Sequence, residues 1–411
     1  MNKPRIFSYE NLVVLLMGAA FGFVFFDRLA LNFLAPFFVP ELNLNNSQVG
    51  LLAAGLALTW ALSGYAVGRL SDYLQNRKPL LVCAIVIFSV CSVGSGLANS
   101  FLALLAARLV MGLAEGPVLP IAQSIMAAES SEHRRGFNQG VVQNFLSSLL
   151  SSFAAPLALV AIGESYGWRN AFYVAAVPGL VVAALIGMFI REPSSVTQRF
   201  SRDRIRLTTM LKHRNIWVCA IVSCLMVPWL LVQVTFLPLY LVQTRGLSPA
   251  AMSIALAAIG IATAASSIVV PALSDRFGRR PVLSLFAFVG AIAPAATVTF
   301  EGPLPLMVVT LGIGYFAAGT FSLFMATVPS ETIPPAYAAS ALGFIMGIGE
   351  LVGGVAGPAL AGIAADALGP SSPMWIAAAL CTAAGLVCLM LQETAPRVLD
   401  RTKRVIAGSA A

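Results

Sequence analysis

The sequence has little charge. Only 10% of its 411 residues are Asp, Glu, Lys or Arg, where a soluble globular chain carries about 25%. Length alone would suggest two or three soluble domains, but this chain lacks the polar groups to clothe a water-facing surface. Histidine is scarcer still. His133 and His213 are the only two, and both fall in polar stretches, which argues against a metal site or a proton relay built on them. Six cysteines (Cys83, Cys91, Cys219, Cys224, Cys381 and Cys388) lie inside apolar runs without a CxxC pair. They read as small hydrophobes, and a disulfide scaffold is excluded. There is no nucleophile elbow and no phosphate loop. An enzyme is therefore not expected, nor are catalytic residues, a metal or an organic cofactor. Long polar segments are missing as well. The longest runs from Arg191 to Arg214, too short for a folded signalling or nucleic-acid-binding domain.

What the sequence does have is apolar length. Its hydrophobic fraction is 58% and its mean hydropathy +0.87. Twelve runs, at about 11–38, 48–70, 80–98, 101–127, 137–161, 170–190, 215–241, 250–273, 282–300, 306–328, 338–363 and 374–391, each approach the roughly 20 residues a helix needs to cross a bilayer. A β-barrel would alternate over about ten residues instead. The chain thus reads as an all-α polytopic membrane protein with twelve transmembrane helices. Lys3 and Arg5 before the first run mimic a secretion signal, but that run is too long and no small-residue cleavage site follows, so it is expected to be retained as a helix.

The net charge of +8 has a topological reading. With the N-terminus inside, 21 of the 25 Lys and Arg fall on inner segments and two, Arg169 and Arg245, on outer ones. Arg28 and Arg108 lie within apolar runs. This is a strong positive-inside pattern, and it places both termini in the cytoplasm. It leaves no folded basic domain for a nucleic-acid partner.

The chain also repeats. Gly68-Arg69-Leu70-Ser71-Asp72 matches Pro271-Ala272-Leu273-Ser274-Asp275 at an offset of 203; after the acids the offset is 202, pairing Pro79 with Pro281 and Pro156 with Pro358. The expected organisation is a six-helix bundle over 1–190, a cytoplasmic linker over 191–214, a second six-helix bundle over 215–395 and a tail over 396–411. Paired six-helix halves are a transporter signature, with substrate near the midplane.

Asp275-Arg276-Phe277-Gly278-Arg279-Arg280-Pro281 resembles the inter-helix loop motif of the major facilitator superfamily, roughly G-x-L-x-D-R-x-G-R-R. The first copy, Asp72-Tyr73-Leu74-Gln75-Asn76-Arg77-Lys78, keeps the acid and the basic pair but lacks the Gly and the Arg after the acid. Gly167-Trp168-Arg169 is similar to the superfamily's sixth-helix opening. The resemblance implies alternating access, and it gives the loop residues a role as a cytoplasmic gate. Asp72 with Arg77 and Arg134, and Asp275 with Arg276 and Arg279, are the candidates. A carboxylate at a helix end pairs with bases or faces a helix N-terminus. The alternative is that the basic residues only anchor topology.

Five ionisable residues lie within apolar runs: Asp27, Arg28, Arg108, Glu115 and Glu350. Each costs about 2.5–3.5 kcal/mol to insert, which makes it a functional candidate. Arg108 and Glu115 are seven apart, sharing one helix face about 10 Å apart along the axis. Gly116 and Pro117 follow and loosen the backbone there. Arg28 and Asn32 share a face, whereas the adjacent Asp27 points about 100° away, toward a neighbouring helix. At the repeat offset Asp27 and Arg28 meet Leu230 and Leu231, so ion chemistry is expected mainly in the first half.

Asp27-Arg28 and Arg108-x6-Glu115 resemble the anion:cation symporter branch of the superfamily, as does Phe236-Leu237-Pro238-Leu239-Tyr240-Leu241 with Gly246-Leu247-Ser248. That resemblance implies that Arg28 and Arg108 attract a carboxylate while Asp27 and Glu115 carry protons, with no cofactor beyond the proton as coupling ion. It also implies a monomer in a bacterial inner membrane whose partners are a small organic anion, the proton and the bilayer. Charge counting agrees. With all four ionised the cluster is neutral; with both acids protonated it is +2 and attracts an anion. Arg stays charged throughout, so proton and anion binding favour one another, as symport requires.

Other residues carry two readings each. Trp60 stacks on a substrate or makes a plain core or lipid contact. Asn144 and Gln233 hydrogen-bond substrate hydroxyls or serve as interhelical glue. Glu350 takes a coupling role or a structural one, and Gly353, Gly354, Gly357 and Pro358 suggest close packing and a hinge. The leading functional expectation is proton-coupled import of a small organic carboxylate, a sugar acid or an aromatic or aliphatic acid. The alternatives are a proton-antiport exporter of drugs or metabolites, against which Ala154-Ala155-Pro156 departs from the usual glycine-rich fifth-helix motif, and a non-transporting membrane receptor or enzyme.

Overall fold

The computed structural model describes residues 8–74, 77–131, 134, 138, 141–192 and 212–399, with side chains left aside at 65–74, 127, 143–145 and 335–340. All regular structure among the described residues is helical. Among the described residues, eleven helices are long and apolar enough to cross a membrane; Ser372–Cys388, at the twelfth expected position, is apolar but shorter. The chain divides into two compact units, Met1–Phe200 with Pro238–Gly260 and Ser201–Leu237 with Ile261–Ala411.

The first unit contains α1 (Tyr9–Glu41), α2 (Asn46–Leu74), α3 (Arg77–Leu97), α4 (Phe101–Glu115), α5 (Val118–Glu129), α6 (Ala155–Tyr166) and α7 (Trp168–Phe189). Polar side chains start α1, α2 and α4 by satisfying otherwise orphaned N–H groups. Ser8 Oγ accepts from Asn11 N at 3.2 Å, and Ser100 Oγ accepts from Ala103 N at 3.3 Å. Asn45 and Gln48 form a reciprocal box at the start of α2, Gln48 N donating to Asn45 Oδ1 at 2.8 Å and Asn45 N to Gln48 Oε1 at 3.0 Å. The run expected over 101–127 breaks into α4 and α5 at Gly116-Pro117, where Pro117 has no N–H for the preceding turn. The run expected over 137–161 opens with wide π-turns at Val141–Leu146 and Leu149–Ala154 before α6.

The second unit takes in most of α8 (Arg214–Leu239) and α9 (Pro249–Phe277), then α10 (Arg279–Gly290), α11 (Ile292–Thr299), α12 (Leu304–Tyr315), α13 (Val328–Thr332), α14 (Pro335–Gly349), α15 (Gly357–Leu368) and α16 (Ser372–Cys388). Three expected runs are interrupted here. Between α10 and α11 the cause is Pro294, which cannot donate to the Gly290 carbonyl. The buried Trp229 indole donates to that carbonyl instead, at 3.0 Å. The glycines at 353 and 357 pack closely, as expected: a Cβ at either would lie 2.7–2.8 Å from Pro228.

The close approach of α2 and α4 sets the frame for the first unit's buried charges. A Cβ on Gly112 would sit 2.4 Å from the Leu56 carbonyl oxygen, and one on Gly116 2.4 Å from that of Trp60. Ser63 Oγ donates across the crossing to Gly112 O at 3.1 Å. Small residues let membrane helices touch backbone to backbone. Gly112→Val is expected to force the helices apart and cost about 1–3 kcal/mol, read as a fall in the melting temperature of the detergent-solubilised protein. Gly94→Ala, where a Cβ meets nothing within 4 Å, is the control and is expected to leave it unchanged.

Candidate functional site

Four of the five ionisable residues within the expected spans belong to the first unit. Asp27 and Arg28 diverge around α1. Asp27 is fully buried, and its Oδ1 accepts from Ser92 Oγ on α3 at 2.5 Å. The same hydroxyl lies 3.2 Å from the Phe172 carbonyl oxygen on α7. Arg28 is half-buried, its guanidinium 5.3 Å from the Trp60 ring on α2 and 5.7 Å from the Phe25 ring, within cation–π range. Asn32, one turn on, is buried at 8% exposure.

Arg108 and Glu115 are both buried on α4, at 0% and 1% exposure. The Arg108 guanidinium lies 5.6 Å from the Phe172 ring, and Nη1 donates to Met111 Sδ at 3.4 Å. Arg108 Nε and Nη2, both Glu115 carboxylate oxygens and Asp27 Oδ2 have no hydrogen-bond partner among the described residues. Salt bridges among the described residues leave all four ionisable side chains out. They are nonetheless coupled through space, the charges of Asp27, Glu115 and Arg28 all acting on Arg108. A buried charge left unpaired is strongly unfavourable, which sets these residues apart from the bonded charges at the helix ends.

The second unit contributes less. Gln233 is fully buried, donating from Nε2 to Trp229 O of its own helix at 3.3 Å, with Oε1 unpartnered among the described residues. Glu350 opens the wide turn Glu350–Ala356 and is half-buried. The side chain of Asn144 lies outside the described residues.

The loop candidates separate. In the second unit Arg279 is the hub. Its Nη1 lies 2.6 Å from Asp275 Oδ1 and 2.5 Å from Ser274 Oγ, and its Nη2 and Nε bind the two Glu331 oxygens at 2.8 and 3.2 Å. Arg276 is exposed and lies over the Phe277 ring at 5.4 Å, so the bridge to Asp275 comes from Arg279. In the first unit the side chain of Asp72 lies outside the described residues. Arg134 pairs with Glu10 at 3.8 Å and donates to Asn11 Oδ1 at 3.0 Å. Arg77 offers its backbone N–H to Glu192 Oε1 at 2.7 Å, and Lys78 does the same to Oε2 at 3.0 Å.

Several of these partners escaped sequence reasoning. Glu192 and Glu393 take equivalent places: Glu393 accepts from the backbone N–H of Arg279 and Arg280 at 2.8 and 3.1 Å. Each carboxylate thus caps the helix that follows a loop motif, where the dipole favours negative charge. Their offset of 201 was the available signal. Ser92, Phe172, Glu10 and Glu331 had none, being an ordinary hydroxyl, an ordinary aromatic and two acids at span ends. Gly167-Trp168-Arg169 proves to be an interhelical tie. Gly167 turns with φ +87, Trp168 Nε1 donates to Glu41 Oε2 at 2.6 Å, and Arg169 pairs with the other Glu41 oxygen.

Comparison with known proteins places this architecture. The model of the Major Facilitator Superfamily matches residues 17–352 and 231–407. A protein named "Probable sulfoacetate transporter" of Cupriavidus necator is 25% identical, with 95% of each chain covered. A hexuronate transporter of Bacillus subtilis is 26% identical over 91% of this chain and 92% of its own. A quinolone resistance protein of Staphylococcus aureus is 26% identical over 64% of each. Among solved structures, a nucleoside transporter superposes with a TM-score of 0.79 at 14% identity, covering 92% of this chain and 99% of that one; at that identity it speaks for the fold alone. The chain is a multi-pass membrane protein and belongs to the Major Facilitator Superfamily, and the relatives just named are transporters, not enzymes.

Proposed function

We propose that this protein imports a small organic carboxylate together with protons by alternating access. The observation that carries the reading is the first unit's set of two arginines and two acids inside membrane-spanning helices, with Arg108 and Glu115 buried and largely without hydrogen-bond partners. Relatives named for sulfoacetate and hexuronate support an acidic substrate. In this reading twelve helices cross a bacterial inner membrane with both termini in the cytoplasm, and the protein works as a monomer.

Arg28, the more exposed guanidinium, receives the carboxylate first. Its faces are turned to Trp60 and Phe25, which leaves its in-plane N–H groups for the anion. Trp60 then acts by orienting Arg28. Arg108 sits deeper and sets the field that Asp27 and Glu115 answer. Protonating the two acids leaves the arginines uncompensated, so the anion binds more tightly; releasing the anion returns the protons. Asn32, Asn144 and Gln233 offer neutral polar contacts, and Glu350 is a further coupling candidate. Near the loops, Arg279 with Asp275 and Glu331 in one half, and Arg134 with Glu10 in the other, tie helix ends within their own half, so that each half moves as one piece as the two rock. The sequence similarity to a quinolone resistance protein favours a second reading, proton-driven export.

Uptake into proteoliposomes separates the two. Under an acid-outside gradient, one or more of a panel of sugar, aromatic and sulfonated carboxylates is expected to accumulate, and collapsing the gradient with a protonophore to stop it. Efflux driven by the same gradient would instead establish export. Arg28→Ala is expected to raise KM for the transported anion about 10–100-fold, the loss of one charge-assisted contact of roughly 1.5–3 kcal/mol; an unchanged KM removes Arg28 from the anion site. Glu115→Gln is expected to abolish gradient-driven accumulation while preserving anion counterflow, and wild-type accumulation in that variant removes Glu115 from coupling.

A further inference from the structure

The Ser92 hydroxyl is used in an unusual way. A serine inside a helix commonly donates back to a carbonyl three or four residues earlier. Ser95, on the same helix, does so to Cys91 O at 2.9 Å, and Ser124 does so to Ile121 O at 2.8 Å. Ser92 instead reaches across to α1 and α7, from a position with no solvent exposure. It has one hydrogen and two acceptors, Asp27 Oδ1 at 2.5 Å and Phe172 O at 3.2 Å. The first distance is that of a hydroxyl donating to a carboxylate anion. The second is longer than an ordinary O–H···O bond. Of its two acceptors Ser92 thus stands closer to the carboxylate than to the carbonyl.

We propose that Ser92 is the positioning residue for the Asp27 proton, donating to the carboxylate when Asp27 is ionised and accepting from the carboxylic acid when it is protonated, with its own hydrogen then turned to the Phe172 carbonyl. The inference rests on the reading of Asp27 as a proton carrier. The proton enters from water and binds Asp27 Oδ1. The Ser92 O–H rotates about its C–O bond and no bond of the serine breaks; the Asp27–Ser92 hydrogen bond reverses direction, and the serine's own hydrogen forms a second bond to the Phe172 carbonyl. Asp27 therefore keeps a partner and a place in both states, which in a solvent-free core avoids leaving a polar atom bare. Phe172 couples this exchange to the arginine, since its carbonyl serves the serine while its ring lies against Arg108. The charged group acting on Asp27 is Arg108 on α4, and Asp27 acts in turn on Cys91 on α3 and Glu115 on α4; Arg28 adjoins it along α1, and α7 contributes Phe172, which does not titrate. None of those groups donates a hydrogen bond to Asp27, so Ser92 is the direct contact that changes with its proton.

The test joins transport to infrared spectroscopy on the full-length protein in proteoliposomes. The carboxylic-acid carbonyl band of Asp27 is assigned by its loss in Asp27→Asn and followed against pH. Ser92→Ala removes the donor to the anion. The expected result is a band displaced in frequency, and a midpoint and uptake profile moved up by about one pH unit. Ser92→Thr, which keeps the hydroxyl, is expected to restore both. A purely structural serine would lower stability without moving either, so an Ala variant with the wild-type band and wild-type profile overturns the proposal and leaves the symport reading standing. Absence of any Asp27-dependent band in the wild type, with uptake indifferent to the gradient, overturns the proposal and the symport reading together.

Discussion

Hydrocarbon offers a polar group nothing to bond to, and the architecture follows from that constraint. Every backbone N–H and C=O within a span must find its partner in the protein, so all regular structure among the described residues is helical. Opposite Pro294, which breaks the ladder, the Trp229 indole fills the gap at the Gly290 carbonyl. At several helix starts a serine, an asparagine or a carboxylate supplies the missing acceptor. Glu192 and Glu393 do this for the helices that open at Arg77 and Arg279, in the same manner in each half of the repeat.

Against this background of satisfied groups, the first unit's charges are conspicuous. Arg279 in the second unit is enclosed by Asp275, Ser274 and Glu331, the kind of complete pairing expected of a charge whose task is to hold helix ends together. Arg108 and Glu115 are more deeply buried and far less completely bonded. A structural ion pair would close that gap. A transporter is better served by charges that stay coupled through space yet remain open to a proton or an anion, because each arrival then changes the affinity for the other.

Much of this was legible in the sequence. Low charge, long apolar runs and a basic bias on alternate loops follow from composition. Helical periodicity alone separated Asp27 from Arg28 and put Arg28 with Asn32, and Arg108 with Glu115, on shared faces. The break at Gly116-Pro117 was readable from proline's missing N–H. The interrupted turns near Phe316 and Glu350 were not, since no single residue type marks a change of helical pitch. Asp275 was expected to be served by Arg276 as well as Arg279; the i, i+4 geometry of the helix end brings only Arg279 back to it.

What the sequence by itself determined is therefore the class of molecule, its two-fold repeat and the short list of costly residues, because insertion energetics and helical spacing act on each residue locally. What only the tertiary structure decided is who meets whom. Ser92 and Asp27 are 65 residues apart, and Ser92 and Phe172 are 80 apart. No local pattern distinguishes that serine from Ser95 three residues on, which turns its hydroxyl back into its own helix. The packing of α1, α3 and α7 makes the choice between them, since a hydroxyl in a dry core donates to whichever acceptor the neighbouring helices bring within reach.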